Sequence, residues 1–271
     1  MASRSKNIYF ELTEELNAEG FIAVLASGQA VVYYKIAMMS KDGDWILKET
    51  PEACRRVLEV LGQRGARYRS GAPLDVRWLA AGWSSHFEFI DLEGRRIRCD
   101  FLTRPPRVSP EDVAPLFEAK PGESLLVIGL EPLIRMKQTQ RAKDYPVIGE
   151  LARLLPPERE IEWTTDPDRI LELASVHGES SKRPPVRAAR AGGSREDVVV
   201  ELARELDRLQ QQDRKRVEKY RAAAETFTRE FLAARIGDKE LTEAHSHVCQ
   251  LAERWLPFDP LGTEEDHGAP Q

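Results

Sequence analysis

The sequence predicts an α/β fold, in which a mixed β-sheet is flanked by helices and followed by an α-helical C-terminal region. Over residues 1–155, short apolar segments of strand length alternate with segments of helical length and periodicity. From Pro156 onward, apolar residues recur at spacings of three and four, which is the pattern of amphipathic helices. The hydrophobic fraction of 41% is sufficient for a buried core, and the 31% of charged residues indicates much exposed helix.

Capping and breaking signals define the first elements. Thr50 is a candidate N-cap, Pro51 suits the first helical position, and Gly65 follows the last periodic residue. Gly20 ends an earlier helical segment in the same way. The predicted elements, in chain order, are a helix at 7–20, a buried strand at 21–27, a helix at 28–39, a strand at 43–47 with its lead-in, and a helix at 50–65.

A strand-rich region follows these elements. The dipeptide Glu93-Gly94 lies between two segments of strand character and predicts a hairpin. Pro146 is the expected break in a later helical segment, which reads as one helix or two. The predicted elements here are strands at 75–81, 86–92, 94–102 and 123–130, and then the helical segment at 131–155.

The domain organisation is expected to change after residue 155. Residues 180–195 carry five basic residues, no acidic residue and paired Pro and Gly, which predicts an exposed linker. The expected parts are an α/β domain at 1–155, a connecting helix and basic linker at 156–195, a helical hairpin region at 196–256, and a disordered tail at 257–271.

The composition excludes several classes of protein. Three widely separated cysteines argue against a disulfide framework and against a Cys-rich zinc site. The N-terminus lacks the apolar core of a signal peptide, and the longest apolar stretch, residues 21–34, is interrupted and too short to span a bilayer. We therefore expect a cytoplasmic protein without membrane contact. The net charge of −5 does not demand a polyanionic partner.

Three aspartates form the candidate site. Asp42 and Asp44 stand two residues apart before the apolar run Trp-Ile-Leu, so a strand here would point both carboxylates to the same side. The simpler interpretation of Lys-Asp-Gly-Asp is a turn. The alternative is a pair of metal ligands. Asp100 lies inside the apolar segment RIRCDFL, where a charge needs either a metal ion or an ion pair with Arg96 or Arg98.

A candidate phosphate site precedes the aspartates. Ser27 and Gly28 stand between a predicted strand and a predicted helix, where glycine allows close backbone approach and a helix N-terminus attracts phosphate. Together with carboxylates on two later strands, this order of residues predicts phosphoryl-transfer chemistry with Mg²⁺.

This order of motifs resembles the nucleotidyltransferase superfamily. The closer likeness is to its minimal bacterial branch, which includes the toxin-type nucleotidyltransferases of abortive-infection systems. In that family a Gly-Gly or Gly-Ser pair precedes Asp-x-Asp by roughly ten residues, and a third carboxylate lies on a later strand. Residues 129–151 also resemble the closing helices of the family, in which Lys137 would face the triphosphate and Arg141, Lys143 and Asp144 complete the pattern. The likeness covers roughly residues 8–155.

The resemblance implies a nucleotidyltransferase-like sheet and a metal-dependent activity. A nucleoside monophosphate would pass from an NTP substrate to a hydroxyl of RNA (tRNA included), of a protein or of a small molecule. The role implied is that of a toxin in a toxin–antitoxin or phage-defence pair. The residues that match are Asp42, Asp44 and Asp100 as ligands of two Mg²⁺ ions, and Ser27, Gly28 and Lys137 as contacts of the phosphates.

Two other functions remain open. One is a catalytically inactive nucleotidyltransferase fold that acts as a binding module, with residues 196–256 as a surface for a partner protein or a second copy. The other is an antibiotic-modifying adenylyltransferase. A metal site at His245 and Cys249, which are four residues apart, is less favoured than a packed helix, because two ligands alone do not make a zinc site.

Overall fold

The computed structural model describes residues 7–118 and 125–261. The described residues form two compact units: unit 1 comprises 7–118, 125–128 and 219–261, and unit 2 comprises 129–218. This division differs from the expected boundary at residue 155. The physical reason is that the residues just after 128 bind within unit 2, as in the ion pair between Glu131 and Arg159.

Unit 1 contains a five-stranded mixed sheet, which confirms the predicted fold class. The strand order is β1-β2-β5-β4-β3; β2 and β5 are parallel, and all other neighbours are antiparallel. Gly94 adopts a φ of 79° in the turn between β4 and β5, as expected for the predicted hairpin. The strands are β1 Ala23–Ala26, β2 Asp42–Leu47, β3 Arg67–Tyr68, β4 Ser85–Ile90 and β5 Arg96–Leu102.

Helices flank the sheet and form the rest of the chain. In the first part they are α1 Ile8–Leu16, α2 Ser27–Tyr33, α3 Pro51–Gln63, α4 Val76–Leu79 and α5 Pro110–Val113. Unit 2 contains α6 Leu130–Lys137, α7 Asp144–Ala152, α8 Pro157–Glu160, α9 Pro167–His177, α10 Pro184–Arg190 and most of α11 Arg195–Ala223. Unit 1 regains α12 Glu225–Ala233 and α13 Leu241–Trp255; the segments Ala114–Phe117 and Ile236–Asp238 are short 3₁₀-helices.

The strongest local signals of the sequence are confirmed. The Thr50 side chain accepts a hydrogen bond from the Ala53 N–H at 3.3 Å, Pro51 opens α3, and Gly65 takes a φ of 63° after its end. The Asp166 side chain likewise caps α9, accepting from the N–H groups of Asp168 and Arg169. These helix ends depend only on neighbouring residues, which is why sequence alone predicts them.

The strand predicted at 75–81 is wrong, because this segment forms helix α4. The Asp75 carboxylate accepts a hydrogen bond from the Arg77 N–H at 2.9 Å and so caps a short helix. Both Trp78 and Leu79 are fully buried, so the segment shows no strand-like alternation of burial. A favourable N-cap and packing of two large side chains therefore outweigh the β propensity of Val and Trp.

Three other segments differ from the prediction. Residues 131–155 form two helices, but the break lies at 138–143, and Pro146 sits in the first turn of α7, where its missing N–H costs little. The predicted linker 180–195 contains α10, which starts with two prolines and buries Val186. Of the strand predicted at 123–130, the described part forms an isolated bridge between Leu25 and Val127, and 123–124 lie outside the described residues.

In the helical region predicted at 196–256, α11 and α12 are separated at Ala224. Part of the apolar surface of this region packs inside the chain, whereas Val199, Val200 and Trp255 are exposed. Val198 and Leu202 are buried in the core of unit 2, whereas Phe227, Phe231, Ala244, Val248 and Ala252 are buried in the core of unit 1. Most of the tail predicted at 257–271 lies outside the described residues, which end at residue 261.

Over the two described ranges, none of the helices has the length and hydropathy needed to cross a bilayer.

The core of unit 1 lies on one face of the sheet. Burial alternates along β5 and along β2 as far as Trp45, and the rings of Trp45 and Phe101 stack with centroids 5.2 Å apart. The Trp45 indole N–H donates to Thr13 Oγ1 of α1 at 2.8 Å. Gly43 belongs to this same face, where a Cβ would lie 2.4 Å from the rings of both Tyr9 and Trp45. The aspartates of β2 consequently point to the opposite face.

A buried ion pair organises unit 2. The Arg183 guanidinium is 2.7 Å from Glu205 Oε2, and both side chains are more than nine-tenths buried. Arg183 also donates to the carbonyl oxygens of Ile161 at 2.8 Å and Thr164 at 3.1 Å. The single guanidinium therefore connects α11 to the segment between α8 and α9.

Gly43→Ala should destabilise unit 1. The new methyl group would overlap the rings of Tyr9 and Trp45, so we expect a loss of about 1–3 kcal/mol in the free energy of unfolding, measured by urea denaturation. Gly62→Ala is the matched control, because a Cβ there comes no closer than 3.8 Å to Leu241 and alanine favours the helix. Equal stabilities of the two variants would contradict the close packing at Gly43.

Glu205→Gln should destabilise unit 2. The substitution leaves the Arg183 charge buried without its carboxylate, which costs about 3–5 kcal/mol in the free energy of unfolding. Asp168→Asn serves as the control, since its pair with Arg195 is exposed and screened by solvent, and the stability should stay nearly unchanged. A loss of similar size in both variants would argue against a special role for the buried pair.

Candidate functional site

The face of the sheet opposite the core is charged, and the strand register arranges its side chains in rows. In the first row the charges of the side chains alternate in sign across four strands. In the next row two aspartates occupy neighbouring positions. The first row contains Arg67, Glu88, Arg98 and Asp42, on β3, β4, β5 and β2 in turn. The second row contains His86, Asp100, Asp44 and Ala26, on β4, β5, β2 and β1.

Asp44 and Asp100 are direct neighbours on the parallel strands β2 and β5. Side chains in such positions face the same side of the sheet, and like charges placed opposite each other are destabilising. Asp42 precedes Asp44 by two residues on the same face, one row further along. The structure thus brings together the three aspartates that the sequence singles out on one face of the sheet.

Two side chains that do not stand out in the sequence, Arg69 and His86, lie next to the Asp100 carboxylate. Arg69 Nη1 lies 3.3 Å and His86 Nδ1 lies 2.8 Å from the same oxygen, Oδ1. The partners considered from the sequence were Arg96 and Arg98. Arg98 is instead 3.7 Å from Asp42 Oδ1, in the neighbouring row.

The alternation in the segment HFEFIDL could have revealed His86. Alternation places His86 and Glu88 on one side of β4, and the hairpin at Gly94 turns that side toward Asp100. Arg69 carries no such signal, because it lies just beyond the two-residue strand β3. Its position follows from a backbone hydrogen bond of its N–H to the His86 carbonyl at 2.8 Å.

The turn from β1 to α2 lies beside Asp44, because Ala26, opposite Asp44 in the register, is followed at once by Ser27. Ser27 adopts a left-handed φ of 48°. A Cβ on Gly28 would lie 2.2 Å from Ser40 Oγ, so the glycine at this turn is required by the approach of the chain's own loop. The Gln29 amide donates to the Ser40 carbonyl at 2.9 Å and holds that loop in place.

Helix α1 holds the start of the carboxylate strand. The Tyr9 hydroxyl donates to the Lys41 carbonyl, one residue before Asp42, at 2.6 Å. Burial raises the pKa of Tyr9 to about 12, so its hydroxyl keeps the proton of this hydrogen bond throughout the physiological pH range.

Lys137 belongs to unit 2 and lies at the end of α6. Its side chain is buried, and its amino group is 3.9 Å from Asp144 Oδ1. Asp144 also accepts hydrogen bonds from Thr139 Oγ1 at 2.6 Å and from Arg141 Nε at 2.8 Å. The residues that match the closing helices of the resembled family thus gather around one buried carboxylate.

The donor set suits a hard divalent cation, which prefers carboxylate oxygen. Asp42 Oδ1 is buried and accepts no hydrogen bond, and the 3.7 Å to Arg98 is too long for one. An orphaned carboxylate oxygen of this kind is one that a cation would satisfy. Residues 7–118 and 125–261 contain no group of three or more His, Cys, Asp or Glu already arranged around a metal position. Asp42, Asp44 and Asp100 share one face of the sheet without forming such a group.

The second polar cluster of unit 1 is packed between the sheet and α13. His245 Nδ1 is 2.7 Å from the Tyr68 hydroxyl, and His245 Nε2 is 3.7 Å from Cys249 Sγ. Burial lowers the pKa of His245 and raises the pKa of Cys249 to about 11. A neutral imidazole and a protonated thiol agree with the packed helix favoured by the sequence analysis, and unlike a metal site they need no further ligand.

Comparison with known proteins gives two structural similarities. No protein-family model matches the sequence, and no curated protein matches it. A Helicobacter pylori protein described as a "putative nucleotidyltransferase" is 13% identical, with a TM-score of 0.38, over 79% of this chain and 98% of that one. JHP933 from Helicobacter pylori is 14% identical, with a TM-score of 0.37, over 79% of this chain and 94% of that one. At these values the comparisons do not assign the chain to a family.

His245 should make unit 1 less stable in acid. Burial holds its folded pKa below the usual value of about 6.5, so the contribution is present above about pH 6.5 and is lost as the pH falls and the unfolded chain takes up the proton. We expect His245→Gln to flatten the decline in the free energy of unfolding between about pH 7 and pH 5. A decline of equal steepness in His245→Gln and in the wild type would contradict this role of the buried imidazole.

Proposed function

We propose that this chain is a metal-dependent nucleotidyltransferase that moves a nucleoside monophosphate from an NTP to a hydroxyl and releases pyrophosphate. The observation that carries the proposal is the adjacency of Asp44 and Asp100 on parallel strands, with Asp42 on the same face. Two acids at neighbouring positions are costly without a cation, and an Mg²⁺-bound triphosphate supplies one. The turn at Ser27 and Gly28 borders Asp44, where the phosphates would bind.

Each residue has a distinct role in this proposal. Asp42, Asp44 and Asp100 would hold Mg²⁺, which when bound neutralises charge on the phosphates during transfer. The backbone N–H groups after Ser27 would orient the triphosphate, and Asp100 would accept the proton of the attacking hydroxyl. Arg69 and His86 fix Asp100 Oδ1 in its present direction. Lys137 is proposed as a phosphate contact on the resemblance of its segment alone.

The proposal extends to the acceptor of the nucleotide and to the biological role. The hydroxyl belongs to an RNA such as tRNA, to a protein or to a small molecule, and a toxin role in a toxin–antitoxin or phage-defence pair is what the motif resemblance supports. The arginines Arg67 and Arg96, which share the charged face with the aspartates, favour a polyanionic acceptor over a polycationic drug. This observation argues against the antibiotic-modifying alternative.

The second candidate is a catalytically inactive fold that serves as a binding module. One observation favours it: Asp42 has a guanidinium nearby at 3.7 Å, and Asp100 has both Arg69 and His86 within 3.3 Å. Carboxylates compensated in this way could be purely structural, because the row of charges is then partly neutral without a metal ion.

Labelled NTPs distinguish the two candidates. The protein is incubated with Mg²⁺ and each of the four α-phosphate-labelled NTPs, in the presence of total RNA and of a protein extract. We expect transfer of label, and we expect Asp44→Asn to reduce it by on the order of 100-fold, because the developing phosphate charge loses its stabilisation. Glu52→Gln is the charge-matched control, since Glu52 is an exposed residue of α3 and is not part of the charged face of the sheet.

Binding provides the second measurement. Calorimetric titration with Mg²⁺ and a non-hydrolysable NTP should give heat with the wild type and none with Asp44→Asn. A folded wild type that binds no Mg²⁺–NTP and transfers no label would leave the inactive binding module as the function.

A further inference from the structure

A serine hydroxyl lies beyond Asp100 on the charged face of the sheet. The order across this face begins with the turn at Ser27 and continues through Asp44 on β2 and Asp100 on β5 to His86 on β4. Ser84 directly precedes β4 and points to the same side as His86, because the two residues are two apart along an extended segment.

The contacts link Ser84 to the proposed site. Ser84 Oγ is 3.2 Å from His86 Nε2, and His86 Nδ1 is 2.8 Å from Asp100 Oδ1. His86 Nδ1 is buried and has no hydrogen-bond partner among the described residues, so Nε2, at the serine hydroxyl, is the ring nitrogen in hydrogen-bond contact. Ser84 is partly exposed, so that a ligand can reach its hydroxyl.

The position of Ser84 matches the direction of attack. In phosphoryl transfer the attacking and leaving oxygens lie roughly in line on opposite sides of the phosphorus. Pyrophosphate would leave on the side of Ser27 and Gly28, next to β1, so the attacking hydroxyl must come from the β4 side. Ser84 and His86 occupy that side.

We propose that Ser84 is an acceptor within the chain itself and becomes nucleotidylated. This inference rests on the proposed function and names one acceptor for it. Ser84 Oγ forms a bond to the α-phosphorus of the NTP, and the bond from that phosphorus to the oxygen bridging to the β-phosphate breaks. Pyrophosphate leaves with the electron pair, the serine proton goes to the Asp100 carboxylate that accepts the attacking proton in the proposed function, and the product is a phosphodiester on Ser84.

Ser85 provides an internal contrast. It is the next residue along the chain, but it faces the core, is fully buried and donates its hydroxyl to the Ala72 carbonyl at 2.8 Å. The two serines therefore share their sequence context and differ in the face of the sheet to which they point.

The experiment uses the full chain with Mg²⁺ and each NTP and no other acceptor. Intact-mass measurement should show one added nucleoside monophosphate, and peptide mapping should place it on Ser84. We expect the adduct to fall by on the order of 100-fold in Ser84→Ala and in Asp44→Asn, and to persist in Ser84→Thr. Ser85→Ala should retain it, with thermal unfolding used to confirm that the variants are folded.

A metal-free measurement tests the hydroxyl separately. A fluorophosphonate probe forms a bond from Ser84 Oγ to phosphorus with loss of fluoride, and needs neither Mg²⁺ nor NTP. We expect the probe to label Ser84 in the wild type and to label His86→Gln on the order of 100-fold more slowly, because the nitrogen that holds the serine hydroxyl is lost.

The outcomes separate the two proposals. Transfer of label to added RNA or protein without an adduct on Ser84 would overturn the inference and leave the proposed function in place. An adduct on another residue would overturn it in the same way. A folded chain that binds no Mg²⁺–NTP and releases no pyrophosphate would remove both the proposed function and the inference.

Discussion

The repulsion between Asp44 and Asp100 is the constraint on which the charged face depends. Their strands are parallel and adjacent, so neither carboxylate can turn to the other face without a shift of register that would also expose the core. Trp45 and Phe101, the residues that follow these aspartates, stack on the core side and fix that register. Burial of two aromatic rings thus holds two like charges together.

The surrounding residues compensate only part of this charge. The neighbouring row alternates Arg67, Glu88, Arg98 and Asp42 and is balanced within itself. Arg69 and His86 lie on one side of Asp100, away from β2. The side chains next to the Asp100 carboxylate therefore come from β4 and from the residue that follows β3.

The sequence predicted elements whose signals are local. The capped start of α3 and the Gly94 hairpin each depend on residues within one turn of chain. Composition does not predict residues 75–81 correctly. It indicates a strand, whereas the Asp75 side chain caps this segment as helix α4. Residues 180–195 are predicted as a linker but contain helix α10, because proline is also favourable in the first turn of a helix.

The candidate site was only partly predictable for a related reason. Asp42, Asp44 and Asp100 stand out because acids are unusual beside apolar strand residues, and the alternation rule places them on one face. The contact of Arg69 with Asp100 depends on pairing between β3, β4 and β5, which no local pattern specifies. Likewise, nothing local in the segment around Lys137 shows that it belongs to a different unit from the aspartates.

The hydrogen bond from Tyr9 to the Lys41 carbonyl gives the N-terminal helix a part in shaping the carboxylate strand. The ring of Tyr9 also covers Gly43, so α1 contacts β2 on both sides of Asp42. Two contacts therefore set the three acidic positions: α1 against β2 for Asp42 and Asp44, and the pairing of β2 with β5 for Asp100. A change in α1 that shifts Tyr9 would move the carboxylates without touching them.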